Sequence, residues 1–236
     1  DGSGGIPDVP YLNYVADQLN HTEGHFFATL YTLTSHHPFK VPADYDQKVA
    51  KGNFPMQHTV AYTDEALRQF FAKASKTEWY PHTLFVITAD HTNFEGASNV
   101  DYRQHRYSVP MIFFHPAHQE VFHSDEIMQQ VDIMPSIFGY CGFKGAFVSF
   151  GNNVFDRSTP RFSINYLSGT YQFYISHYLI EFNGDKVLKI WDLEKEEGNR
   201  AISSDSLPEL KEYEKLMKAV IQQYTCGLLR NKLKID

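Results

Sequence analysis

The chain has little sulfur, no long apolar run and no excess of positive charge. Its two cysteines, Cys141 and Cys226, lie 85 residues apart, without the close spacing of a zinc-binding cysteine pair. They read either as two buried thiols, the reading preferred here, or as one disulfide, and neither identifies a compartment. No apolar stretch approaches the roughly 20 residues needed to span a bilayer, and the first residues, Asp1-Gly2-Ser3-Gly4-Gly5, read as the middle of a longer protein rather than as a signal peptide. The formal net charge of −7 argues against a partner bound through phosphate neutralisation, and so against nucleic acid. Internal repeats and low-complexity linkers are also missing. What remains is an ordinary globular composition with many aromatics, 19 Phe and 15 Tyr in 236 residues, long enough for a substantial core.

The stretch Leu84-Phe85-Val86-Ile87-Thr88-Ala89-Asp90-His91 organises the rest. A short apolar, β-branched run bounded by polar residues reads as a buried strand, of parallel type. Chemistry in open α/β sheets gathers at the carboxyl ends of strands, where Asp90 and His91 would stand. An oxygen and an imidazole ligand suit Zn²⁺ or Mn²⁺. On its own the pair also fits a loop-capping Asp beside a surface His.

Taken in order, residues 1–7 are Gly-rich loop and Asp8 is a candidate N-cap. A helix follows to about Asn20, on the period Val9, Leu12, Val15, Ala16, Leu19. His25 to Leu33 reads as a buried strand running into Thr34-Ser35-His36-His37-Pro38-Phe39. After an irregular stretch, a helix spans Met56 to about Lys76. A long polar loop, 92–107, holds Glu95, Asp101, Arg103, His105 and Arg106, and loops of that length are often functional. Val109 to Phe114 reads as a strand, and Asp132 as the cap of a short helix to Tyr140. Arg161–Tyr166, Tyr171–Phe182 and Lys186–Trp191 read as three strands, with a hairpin at Asn183-Gly184. A closing helix runs from about Leu207 to Leu229. The predicted fold class is α/β: a mainly parallel sheet flanked by helices over 1–158, then a small antiparallel sheet with a closing helix over 159–236.

Four pieces, Thr34-Ser35-His36-His37-Pro38-Phe39, Ala89-Asp90-His91, the loop with His105, and Trp191-Asp192-Leu193 followed by Glu197-Gly198-Asn199, occur in an order that resembles the sulfatase-like branch of the alkaline phosphatase superfamily. Lipoteichoic acid synthase-type phosphoglycerol transferases are the nearest in type, and phosphoethanolamine transferases are similar in the same places. The resemblance implies that Asp90 and His91 bind a catalytic divalent metal, Mn²⁺ or Zn²⁺ first and Mg²⁺ or Ca²⁺ as alternatives. It implies that His36 contacts the substrate phosphate or the leaving alkoxide, and that His105 is a second substrate histidine. Arg103 and Arg106 have no matching motif and read as surface charge. The family's nucleophile and a further acidic ligand have no counterpart: Cys141 lacks the C-x-P-x-R context of sulfatase nucleophiles.

The expectation is therefore the C-terminal part of a catalytic domain, inactive alone. Its partners would be the N-terminal half, a phospholipid headgroup donor and a glycan or lipid acceptor. The parent would be anchored by N-terminal membrane helices and would act extracytoplasmically. The competing expectations are a sulfatase-type hydrolase of sulfated sugars and a degenerate binding domain.

Overall fold

The computed structural model describes residues 5–93, 102–118, 124–194 and 201–234. Two compact units emerge, one built on residues 1–99 and 109–121, the other on 100–108 and 122–236. Glu95, Asp101 and the Glu197-Gly198-Asn199 segment lie outside the described residues.

In the first unit, α1 (Asp8–Leu19) packs along α2 (Pro55–Ala74). Val9, Leu12 and Ala16 of α1 meet Tyr62, Ala66, Phe70 and Ala74 of α2 in one buried cluster, the apolar face that the helical period puts on each element. The end of α2 carries the chain into an aromatic nest. Phe85 of β1 (Phe85–Thr88) sits 5.1 Å from Phe71 and stacks 5.9 Å from Phe114 of β2 (Met111–Phe114), separations typical of favourable ring pairs.

Two sequence expectations give way here. β1 pairs with β2 antiparallel, in the register Phe85↔Phe114 to Thr88↔Met111, and both sheets among the described residues are antiparallel. An apolar run reports burial of both faces, which parallel and antiparallel neighbours satisfy alike, so it carries no information on strand direction. The segment 25–33 is not a strand: it runs without ladder pairing, with Phe27 81% and Tyr31 59% exposed. Its aromatic and β-branched content fits a pleated surface, but among the described residues no backbone lies alongside to complete a ladder.

The second unit is a meander, β3 (Phe162–Leu167), β4 (Thr170–Ile175), β5 (Tyr178–Phe182) and β6 (Val187–Asp192), in that spatial order and antiparallel throughout. The stretch read as one strand over 171–182 is two, folded back at Ser176-His177 so that Ile175 faces Tyr178. α5 (Leu210–Leu229) closes one face, with Met217 buried among Phe162, Phe173, Ile180, Phe182 and Ile190. Ahead of the sheet, the short α3 (Tyr102–His105) and α4 (Ile133–Tyr140) belong to the same unit. Asp132 caps no N–H of α4. Its buried carboxylate accepts from the amides of Gln129 at 2.9 Å and Asn152 at 2.7 Å, tying the loop after α4 back to its start. Both cysteines are free, and Cys141 is exposed rather than buried. Among the described residues no helix is long and apolar enough to cross a membrane.

Candidate functional site

The His36 loop is fastened from beneath by a charge. Asp8 opens α1 without capping it. Its fully buried carboxylate instead accepts from the amides of Leu33 and Thr34, each at 3.1 Å, and from the Thr63 hydroxyl at 2.6 Å. The Asp8 amide in turn donates to Thr34 Oγ1 at 3.1 Å, and Ser35 Oγ meets Thr63 Oγ1 at 3.1 Å. A buried carboxylate is tolerable only when its lone pairs are filled in this way. Above this base the chain turns: the His37-Pro38 peptide is cis, and the Phe39 amide donates to the His36 carbonyl at 3.0 Å, a turn with cis-proline at its third position. His36 is exposed, and its Nδ1 lies 2.9 Å from the His37 carbonyl. A carbonyl only accepts, so Nδ1 carries the proton and Nε2 is left as the outward acceptor.

The second piece stands just past the end of β1. Asp90 Oδ1 accepts from the His91 amide at 2.9 Å, and Asp90 Oδ2 accepts from the Tyr31 hydroxyl at 2.6 Å. The Tyr31 hydrogen bond is the leading cause that holds the Asp90 carboxyl below its ordinary range, and the same bond pushes the Tyr31 phenol up. His91 Nδ1 lies 2.9 Å from the Thr92 carbonyl. By the same reasoning Nδ1 is the protonated nitrogen and Nε2 presents a lone pair, 3.5 Å from Asp90 Oδ2. An ionised oxygen and an unprotonated imidazole nitrogen converge on one exposed spot. That donor set fits a divalent cation of the Zn²⁺ or Mn²⁺ type, and a His whose other nitrogen bonds a carbonyl is oriented as metal-ligating histidines are. Among the described residues no group of three or more His, Cys, Asp or Glu could hold a metal, so Asp90 and His91 would supply only part of the ligands such a cation needs.

Asp90, His91 and His36 belong to one unit, with Tyr31 linking the segment before His36 to Asp90. An open groove beside this loop is lined by Ile6, Leu33, His36, His37 and Lys40. His105 lies on α3 in the other unit, exposed. Its neighbour Arg103 stacks 3.9 Å over the Trp191 ring and accepts on its carbonyl from the Tyr174 hydroxyl at 2.9 Å, so Arg103 is a packed side chain rather than loose surface charge. Sequence reasoning missed Tyr31 and the true job of Asp8. Neither carries a local signal: each acts on a residue at least 25 positions away.

Residues 2–143 match the sulfatase family. Lipoteichoic acid synthase 1 of Bacillus subtilis (strain 168) is 25% identical over 172 residues, covering 65% of this chain and 27% of that protein. Among solved structures, an alkaline phosphatase superfamily protein from Vibrio parahaemolyticus superposes with a TM-score of 0.80 at 19% identity, over 99% of this chain and 57% of that one. A structure described as Ps i-CgsB in complex with k-i-k-neocarrahexaose superposes with a TM-score of 0.67 at 15% identity, over 90% of this chain and 53% of that one. The chain thus spans about a quarter of that synthase and little more than half of these structural neighbours, and it has the alkaline phosphatase superfamily fold.

Proposed function

The chain belongs to the sulfatase family, and from that premise we propose that it forms part of a metal-dependent phosphoglycerol or phosphoethanolamine transferase acting on membrane lipid headgroups at an extracytoplasmic face. The observation that carries this reading is the convergence of Asp90 Oδ2 and His91 Nε2 at 3.5 Å, with His91 Nδ1 tied to the Thr92 carbonyl. The similarity to a lipoteichoic acid synthase supports the transferase over other ester chemistries. Asp90 and His91 would hold a divalent cation, which would supply Lewis-acid polarisation of a phosphoryl oxygen. Asp90 stays ionised through its bond to Tyr31, and Tyr31 and Thr92 fix the two ligand groups in place. His36, with Nε2 facing solvent, binds the transferring group and, when protonated, donates to the leaving alcohol, a role typically contributing ~10²–10⁴-fold in rate. The reading requires a hydroxyl nucleophile and the remaining metal ligands from outside these 236 residues, so the chain alone is inactive.

A second reading, a sulfatase-type hydrolase, is favoured by the family match itself. One experiment separates them. The full parent protein is supplied with Mn²⁺ and offered fluorescent phosphatidylglycerol or an aryl sulfate. Diacylglycerol release that disappears in Asp90→Ala and His36→Ala supports the transferase. Aryl sulfate cleavage without lipid turnover moves the protein to the hydrolases, and silence on both rejects both readings.

A further inference from the structure

We propose that the C-terminal end of α5 is a docking surface for a bilayer rich in anionic phospholipid. Through Leu216, Met217, Val220 and Ile221 the helix packs on the sheet. Beyond Ile221 it leaves the core yet stays helical for two more turns. Those turns carry apolar side chains into solvent: Tyr224 is 50% exposed, Leu228 58% and Leu229 80%. Tyr224 and Leu228, four residues apart, share a face, and Phe150 meets the Tyr224 ring 5.4 Å away.

The helix then ends in a cap that keeps basic residues beside this apolar end. Asn231 takes a left-handed conformation with φ 51°. Its amide donates to Leu228 O at 3.2 Å, and the Lys232 amide donates to Gly227 O at 2.8 Å. That is the paired bonding of a Schellman end. It turns Leu233 back against Gly227, where even a Cβ on residue 227 would meet the Leu233 side chain. Arg230, Lys232 and Lys234 are thereby held next to Leu228 and Leu229, and all three are exposed.

Charge decides the occupant. The chain carries a net −7, yet Arg230, Lys232 and Lys234 cluster at this end, and no Asp or Glu lies between Glu214, which pairs with Lys218, and Asp236. A protruding helix end that combines bare leucines, a half-buried tyrosine and flanking basic groups is the composition of an interfacial membrane contact. Arg and Lys there lay their stems along apolar surface and hold their charges at headgroup level. The inference rests on this surface alone and stands whichever ester the Asp90 site acts on.

The test is co-sedimentation of the 236-residue chain with vesicles of phosphatidylglycerol and phosphatidylcholine, against phosphatidylcholine alone. Binding is expected only with phosphatidylglycerol, weakening as salt rises. The combined Arg230→Glu, Lys232→Glu and Lys234→Glu variant is expected to bind at least ~100-fold more weakly. A Leu228→Ser, Leu229→Ser variant is expected to bind more weakly, with the binding that remains keeping its salt dependence. All five positions are exposed, so circular dichroism should show each variant folded. Lys51→Glu with Lys76→Glu, a charge change elsewhere, should bind as the parent chain does, and so should Asp90→Ala, which separates docking from chemistry. Absence of binding to phosphatidylglycerol vesicles overturns the proposal. So does binding that survives the triple reversal, which would place the lipid contact elsewhere on the chain, and so does equal loss in the Lys51 and Lys76 control, which would make the effect one of net charge.

Discussion

Tyr31 joins the segment carrying His36 to the Asp90 carboxylate through a single 2.6 Å hydrogen bond, and the side chain is otherwise largely exposed. Removing its hydroxyl should leave the fold intact and loosen one ligand. Tyr31→Phe is expected to weaken Mn²⁺ binding by the parent protein about 10–100-fold, the usual cost of losing a group that orients a ligand. Calorimetric titration reads this directly, and an unchanged affinity would restrict Tyr31 to holding the loop. Asp8 poses the opposite experiment, because its carboxylate is wholly buried. Asp8→Ala leaves the Leu33 and Thr34 amides without this acceptor, at about 1–3 kcal/mol for each donor that finds no water, while the Thr63 hydroxyl keeps the Thr59 carbonyl 3.2 Å away. Urea unfolding should show a loss of several kcal/mol, and Asp8→Asn, which keeps one acceptor oxygen, should lose less.

At the scale of elements, the turns of the meander decide how the sheet is cut. Ser168-Gly169 joins β3 to β4 with both residues at positive φ, 50° and 83°, the backbone twist that two-residue hairpins favour. Ser176 opens the next turn at φ 53°, where an L side chain is disfavoured by roughly 1–2 kcal/mol. Ser176→Gly is therefore expected to raise stability by about 0.5–1 kcal/mol after the added chain entropy of glycine, seen as a higher urea midpoint; a lower one would mean that the Ser176 hydroxyl, 3.1 Å from His177 Nδ1, outweighs the strain. This turn also explains a misreading. With neither Gly nor Pro at 176–177, the β-rich run 171–182 looks continuous, and only the φ value shows the fold. Asn183-Gly184 was legible because its residue types announce it, although the loop spans 183–186, with Asn183 Oδ1 accepting from the amides of Asp185 and Lys186. Helices α1, α2 and α5 were legible from apolar period, and α4 from Asp132 at its start, although that carboxylate caps no N–H of the helix. The direction of β1 and the unpaired state of 25–33 were not, since both depend on which backbone lies alongside. Of the candidate site, Asp90-His91 and His36 were legible as residue types in sequence order, and Tyr31 was not, because its partner is 59 positions away.

For the molecule as a whole, acid stability depends on carboxyls shifted in opposite directions. Glu65, forked to Arg68 and bonded by Gln69, is lowered to about 2. Asp46 is lowered beside Lys51, Asp90 beside Tyr31 and Asp156 beside Ser158. Such groups contribute stability that is present above their unfolded values and lost as pH falls through the folded ones. Asp132 runs the other way. Burial pushes its carboxyl above the ordinary 3.8, against the Gln129 and Asn152 amides that favour the charged form. The folded state therefore holds that proton more tightly, and the contribution is fully present below pH 3.8 and lost as pH rises through the raised value. Asp132 thus offsets part of the acid loss caused by the others. Asp132→Asn removes that offset along with one acceptor oxygen, so the variant should be less stable at neutral pH and should fall behind further on acidification. Urea unfolding of both chains from pH 7 down to about pH 4 checks this. The stability gap between the native chain and Asp132→Asn should widen through the Asp132 titration. A gap that stays constant or narrows would mean that the bonds from Gln129 and Asn152 outweigh burial at this carboxylate.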